Sequence, residues 1–177
     1  MVDVWREKAK KTGDAELQVL LLHPMSEPAV SRGLREDTRS GGNFEQYWTT
    51  SLYQEVVRSC ETILSWKTKQ RPRISARLCK VASACFLLFI NDLVFVEQYH
   101  FGTGARRASG RLPVYVFRRG PVYNQFEQHF RFVWDSGMSV PLTRDVLNAI
   151  EKPGDEEKAK LRSILEYSRP DLAPRSP

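Results

Sequence analysis

Residues that commonly bind metals or form disulfides are scarce in this sequence. Its 177 residues include only three histidines and three cysteines. Cys60, Cys79 and Cys85 do not have the paired spacing of a zinc or redox motif, and two of them lie within apolar stretches. We therefore predict no metal site and no cofactor, and we interpret the cysteines as free thiols of a reducing cytoplasm.

Long apolar runs are absent as well. No stretch approaches the roughly 20 apolar residues that a membrane helix needs, and the polar residues 1–11 contain no signal-peptide core. These absences argue against secretion and membrane insertion. We expect a cytoplasmic protein with no membrane partner.

Acidic residues are fewer than basic ones. Twenty-one Asp and Glu stand against 27 Lys and Arg, and the net charge of +6 favours anionic partners without identifying one. With 41% hydrophobic residues, a chain of this length can bury a sizeable core. We expect one principal domain.

Hydrophobic patterning predicts an α/β fold with a mixed β-sheet flanked by helices. The run Glu16–Leu22 is apolar without alternation and stops at His23-Pro24, which is typical of a central strand covered on both faces. Asn43 is positioned to cap a long helix that reaches about Trp66. Further strands are predicted at 74–78, 84–90, 93–98 and 112–117, a helical turn at 28–35, and helices at 121–137, 144–150 and 156–167.

These patterns divide the chain into four parts. We expect an N-terminal helix or linker over 1–15, the α/β domain over 16–137, a C-terminal helical extension over 138–167 and a disordered tail over 168–177. Within the domain, Asn91-Asp92 separates two apolar strands. Both residue types tolerate positive φ, so a tight hairpin is predicted there.

The order of these elements resembles a phospholipase D-like domain. The similar features are a strand ending in His23-Pro24, a long helix, the Asn91-Asp92 hairpin, a strand ending in Arg118-Arg119-Gly120, and the helix that follows. The resemblance covers about residues 16–134 and is most specific over 113–134. It is closest to the regulatory domain that follows a helix-turn-helix module in some bacterial regulators. The first strand departs from the family, where it more often ends in Asp-Pro.

The catalytic motif of that family is not intact here. The motif is His-x-Lys, four residues, then Asp, and its His and Lys must share one face of a strand to act on a phosphodiester. Aligning the motif on Asp92 places Cys85 at the histidine position and Leu87 at the lysine position. Leucine carries no charge, and a thiol on an apolar strand is a poor nucleophile because burial raises its pKa. The resemblance thus implies a catalytically inactive half, and we lean against an enzyme.

The resemblance also has consequences for assembly. Phospholipase D-type enzymes are built from two equivalent halves with the site at their junction, and this chain is long enough for only one half. The implied arrangement is a homodimer with the hairpin near the two-fold axis.

We therefore expect a regulatory or sensor domain that binds an anionic, phosphate-containing ligand or a protein partner. For a ligand site, the sequence contains several polar residues at strand ends. In open α/β sheets, ligands bind beyond the carboxyl ends of strands. Paired arginines before a helix N-terminus suit a phosphate, so the predicted ligand is an anionic small molecule or nucleotide. A structural histidine or a surface arginine pair is the alternative for these residues. The predicted ligand-binding residues are His23, Gln98, His100, Arg118 and Arg119.

The segment 67–80 suggests a second class of function. It contains six basic residues and no acidic one, and we interpret it as a loop leading into a short strand. Such a loop can neutralise nucleic-acid phosphates regardless of sequence, while Trp66 stacks on a base. A soluble charged loop is the other interpretation. The candidate nucleic-acid-binding residues are Lys67, Lys69, Arg71, Arg73 and Arg77.

A divergent phosphodiesterase is a further alternative. It would require His23 or His100 to face Arg118 across a cleft. Sequence spacing leaves that geometry open.

Overall fold

The structure is a computed structural model, and it describes residues 16–37, 42–69, 73–82, 85–90, 92–98 and 114–168. Its alternation of helices and strands confirms the predicted α/β class. In chain order the elements are β1 (Glu16–Leu22), α1 (Glu27–Glu36), a 3-10 helix (Phe44–Thr49), α2 (Ser51–Lys69), β2 (Arg73–Cys79), β3 (Cys85–Ile90), β4 (Leu93–Gln98), β5 (Val114–Arg118), α3 (Pro121–Asp135), β6 (Ser139–Pro141), α4 (Arg144–Glu151) and α5 (Asp155–Ser168).

The described strands form two three-stranded sheets, whereas one mixed sheet was predicted. In the mixed sheet, of order β1-β2-β6, β1 and β2 are parallel and β6 is antiparallel to β2. The antiparallel sheet has the order β3-β4-β5. The prediction of β1 as the central strand is wrong. The unpredicted strand β6 pairs with β2 on the edge away from β1, so β2 is central.

The mixed sheet is covered by most of the helices. Two buried tyrosines tie this layer together: the Tyr47 hydroxyl donates to the Pro24 carbonyl at 2.6 Å, and the Tyr53 hydroxyl donates to the Ile150 carbonyl at 2.7 Å. The C-terminal helices α4 and α5 belong to this layer, because their apolar side chains are part of the same hydrophobic cluster. Those side chains are Leu147, Ile150, Leu161 and Leu165.

The antiparallel sheet packs against α3 with one face only. Val94 and Val96 of β4 are buried with Tyr123 of α3 in a second hydrophobic cluster. Aromatic contacts extend this cluster, since the Phe89 ring lies 5.4 Å from that of Tyr123 and the Phe117 ring 6.0 Å from that of Phe126. We call this the inner face of the sheet.

Helix α3 also joins the two sheets. Near its end, the Arg77 guanidinium of β2 lies 5.9 Å from the centre of the Trp134 ring. The same guanidinium donates to the hydroxyl and carbonyl oxygens of Ser139, each at 2.8 Å. Thus α3 contacts the antiparallel sheet along its first turns and the mixed sheet at its end.

The long helix predicted from Asn43 is divided into two. The Asn43 side chain does act as a cap, accepting from the Glu45 amide at 3.0 Å, but the helix that it caps is of the 3-10 type. Thr50 then takes an extended conformation, with φ −66° and ψ 150°. This conformation ends the 3-10 helix, and α2 begins at Ser51. Among the described residues, no helix is both long and apolar enough to cross a membrane.

Candidate functional site

A cleft of about 460 Å³ lies where the parallel strands β1 and β2 end. β1 leads through His23 into the first turn of α1, and β2 leads into Lys80. The carboxyl ends of parallel strands are where open α/β sheets bind ligands. The cleft is lined by Met25, Ser26, Glu27, Pro28, Lys80, Val81, Ala82, Leu161 and Ile164.

The lining of the cleft is largely apolar with one basic side chain. Lys80 supplies the positive charge, and its backbone is fixed by a 2.7 Å hydrogen bond from its amide to the Met138 carbonyl. Glu27 is the acidic residue of the lining, and no ion pair within the described residues joins it to Lys80. Ser26 precedes α1, but its hydroxyl donates to the His23 carbonyl at 2.7 Å and does not cap the helix. The cleft therefore combines an ammonium group, the start of a helix and an apolar wall.

His23 lies beside this cleft and shapes the turn after β1. Its Nδ1 accepts a hydrogen bond from the Met25 amide at 3.0 Å, so the proton of the neutral ring is on Nε2. Burial, together with the smaller effect of the nearby charge of Lys80, lowers the pKa of His23 to about 4. His23 is therefore uncharged at neutral pH, and its described contacts are those of a turn-forming residue.

Arg118 and Arg119 are next to each other in sequence but extend to different sides of the antiparallel sheet. Arg118 pairs with Leu93 and, by strand alternation, lies on the face away from α3. The Arg119 guanidinium lies 5.8 Å from the centre of the Tyr123 ring, on the α3 side. Its amide donates to the Asp92 carbonyl at 2.6 Å. The two side chains thus do not form one paired site at the start of α3.

The other predicted ligand residues are also dispersed. Gln98 pairs with Cys85 at one end of β4, whereas Arg118 pairs with Leu93 at the other end. Five residues of strand separate these positions, a distance of roughly 17 Å. His23 follows a strand of the mixed sheet, and His100 lies outside the described residues. Within the described chain, the predicted ligand residues do not meet at one place.

The two residues that the predicted resemblance aligns with a catalytic histidine and lysine have packing roles. Cys85 and Leu87 are on the inner face of β3 and pack against the cluster formed with α3. Burial raises the pKa of the Cys85 thiol, which disfavours the thiolate. Among the described residues, no group of three or more His, Cys, Asp or Glu is arranged to hold a metal ion.

The described candidate nucleic-acid residues are divided between two elements, α2 and β2. The prediction that a loop begins at Lys67 is wrong, because α2 continues through Lys69. Arg73 is the first residue of β2, and Arg71 lies outside the described residues. Arg77 is engaged within the fold by Ser139 and Trp134.

Comparison of this chain with protein-family models, curated proteins and solved structures finds no match.

Sequence reasoning did not assign Lys80 to a ligand site. Lys80 stood out only as the last residue of a basic run. Its position directly after an apolar strand was the available signal, because residues that follow parallel strands converge at one edge of the sheet. The opposite wall, with Leu161 and Ile164, comes from a helix about 80 residues further along the chain, which no local pattern indicates.

Proposed function

We propose that this chain is a cytoplasmic, catalytically inactive regulatory domain of the phospholipase D-like type, which binds an anionic, phosphate-containing small ligand. The observation that carries the proposal is the cleft at the ends of β1 and β2, with Lys80 among its lining residues. The cleft is broadly open to solvent, and its volume of about 460 Å³ gives room for a small molecule.

The order of elements supports the phospholipase D-like part of the proposal. A parallel strand pair with helices between its members is followed by the β3-β4 hairpin and by β5 leading directly into α3. Cys85 and Leu87 support the catalytically inactive part of the proposal, because the two residues aligned with the family's histidine and lysine pack toward α3.

The composition of the cleft narrows the ligand class. The Lys80 ammonium can neutralise one phosphate charge, and the helix dipole favours an anion at the start of α1. Glu27, in the first turn of α1, already places one negative charge at this helix end, so a single phosphate beside Lys80 is favoured over a polyanion. The apolar wall of Met25, Leu161 and Ile164 suits a nucleobase or another apolar body. A phosphate monoester carrying such a body is therefore the expected ligand.

The proposal predicts a thermal-shift response that depends on Lys80. Nucleoside monophosphates, sugar phosphates, cyclic oligonucleotides and short nucleic acids are tested in turn against the purified chain. A ligand at about a hundred times its Kd should raise Tm by roughly 5 to 10 °C. Lys80→Ala should abolish most of this shift and Lys80→Arg should retain part of it. The matched control is Lys152→Ala, an exposed lysine at the end of α4.

The same panel separates the alternatives. If Arg118→Ala with Arg119→Ala removes the shift and Lys80→Ala does not, the ligand site is at the start of α3. Nucleic-acid binding with steep salt dependence, weakened by Lys69→Ala with Arg73→Ala, would assign the function to the basic segment. The proposed function would be refuted if the purified chain hydrolysed a phosphodiester, or if no ligand of the panel changed its Tm.

A further inference from the structure

The antiparallel sheet has an outer face opposite to the one that packs on α3. Strand pairing places the alternate residues of its three strands on this face. Val114 and Val116 of β5 are each 51% exposed, and Leu88, Leu93 and Phe95 are half-buried. Of the described residues, none of these five belongs to either hydrophobic cluster. The described chain thus leaves an apolar sheet face without a core of its own.

Two charged residues are at opposite ends of this outer face. Glu97 of β4 pairs with Val114, and Arg118 of β5 pairs with Leu93. Val114 and Arg118 are separated by four residues along β5, so the two charges are about 13 Å apart in the strand direction. The face therefore has an acidic end, an apolar centre and a basic end.

We propose that the outer face is a docking surface for a second copy of this chain. A two-fold axis between two such faces, perpendicular to the strands, turns one copy end to end over the other. Glu97 and Val114 of each copy then lie at the end of the interface that holds Arg118 of its partner, while Val116 and Phe95 meet the partner's apolar centre. Sheets stacked at about 10 Å leave room for these side chains to interdigitate. The charge pattern is self-complementary, which is the requirement of a two-fold interface.

This charge arrangement favours a second copy of the chain over a partner whose surface is entirely acidic or entirely basic. An acidic partner would be repelled by Glu97, and a basic partner by Arg118. An identical copy satisfies both ends at once and covers the valines of β5, whose exposure would otherwise leave apolar surface in water. The contact is on the antiparallel sheet, whereas the ligand cleft is on the mixed sheet, so either can exist without the other.

Sedimentation equilibrium of the full chain over a range of concentrations tests the proposal. The mass should approach that of a dimer as concentration rises. Val116→Asp should raise the dimer Kd by about tenfold or more, since it places a charge in the apolar centre. Phe132→Asp is the matched control: Phe132 is 60% exposed on α3, away from the outer face. This variant should leave the dimer Kd unchanged.

Exchanging the charges of Glu97 and Arg118 tests whether the two residues face each other across the proposed interface. Glu97→Arg and Arg118→Glu should each raise the dimer Kd about tenfold, because each sets like charges together at two symmetry-related places. The double exchange should restore the wild-type Kd to within about threefold. Circular dichroism verifies folding, and the Lys80-dependent ligand response of each variant shows whether the ligand site is affected separately. A monomer at every concentration, a dimer that tolerates Val116→Asp, or a double exchange no better than the single changes would overturn the proposal.

Discussion

At Gly33, helix α1 passes close to Tyr47 of the 3-10 helix. A Cβ at this position would lie 2.7 Å from Cε2 of Tyr47 and 3.2 Å from Oγ1 of Thr50. The Tyr47 ring cannot easily withdraw, because it is fully buried and its hydroxyl donates to the Pro24 carbonyl. Close packing of α1 on the 3-10 helix therefore requires glycine here.

We expect Gly33→Ala to lower the free energy of unfolding by about 1 to 2 kcal/mol. Overpacking costs roughly 1 to 3 kcal/mol and exceeds the gain in helix propensity of up to about 1 kcal/mol. Urea unfolding monitored by tyrosine and tryptophan fluorescence measures the change. The control is Gly137→Ala, since a Cβ at Gly137 meets no atom within 4 Å. Equal stability of the two variants would show that α1 can move away from Tyr47.

His23 makes the stability of the fold depend on pH. Its pKa is lowered from its ordinary 6.5 to about 4 in the folded chain. Between these two values the unfolded chain binds a proton and the folded chain does not. The contribution of neutral His23 to the free energy of unfolding is therefore fully present above about pH 6.5, and it decreases as the pH falls toward 4. The loss attributable to His23 is at most about 3 kcal/mol.

When the pH is lowered from about 7 to about 4.5, we expect the free energy of unfolding to decrease in the wild type. In His23→Asn this decrease should be smaller by roughly 2 kcal/mol. The asparagine oxygen can still accept from the Met25 amide, but it does not titrate. Urea unfolding at both pH values gives the difference, and an NMR titration of the ring protons gives the pKa directly. A measured pKa near 6.5, or parallel loss of stability in both proteins, would contradict the assignment.

At the scale of elements, the end of α3 is held to the mixed sheet by Arg77. The two donors of its guanidinium bind the hydroxyl and carbonyl oxygens of Ser139. The Ser139 hydroxyl in turn donates to the Val133 carbonyl at 2.8 Å. One side chain of β2 thus connects the end of α3 with β6.

We expect Arg77→Lys to lower the free energy of unfolding by about 1 to 3 kcal/mol. Lysine retains the charge but cannot make both planar hydrogen bonds or the stacking on Trp134. Urea unfolding is the measurement, with Arg144→Lys at the exposed start of α4 as control. If the free energy of unfolding of Arg77→Lys is within about 0.5 kcal/mol of the wild-type value and nucleic-acid binding is weaker, Arg77 would instead belong to a nucleic-acid site in the basic segment 67–80.

At the scale of the whole molecule, two hydrophobic clusters are joined by one helix. The larger cluster combines the mixed sheet with every described helix except α3, and it includes Leu161 and Leu165 near the end of the described chain. The smaller cluster combines the antiparallel sheet with α3. Helices α4 and α5 are thus integral to the larger core, and α5 also supplies one wall of the cleft.

Local pattern was sufficient to predict several elements. β1, β4 and the α4 helix agree with their predicted positions within a residue, because runs of apolar residues and flanking turn residues act over short range. The break at Thr50 was not predicted, since the 3-10 helix before it is held by the contact of Tyr47 with Pro24. β6 was missed because Ser139–Pro141 is too short to show periodicity.

The α/β class, the hairpin, the start of α3 at Pro121 and the apolar surroundings of Cys85 and Leu87 could all be predicted from the sequence alone. Each of these depends on neighbouring residues and their side-chain chemistry. The division into two sheets, the separation of Arg118 from Arg119, and the cleft that Lys80 lines together with α1 and α5 are visible in the folded chain and not in its sequence. These features depend on pairing and packing between distant segments, and those contacts leave no periodic signal in the local sequence.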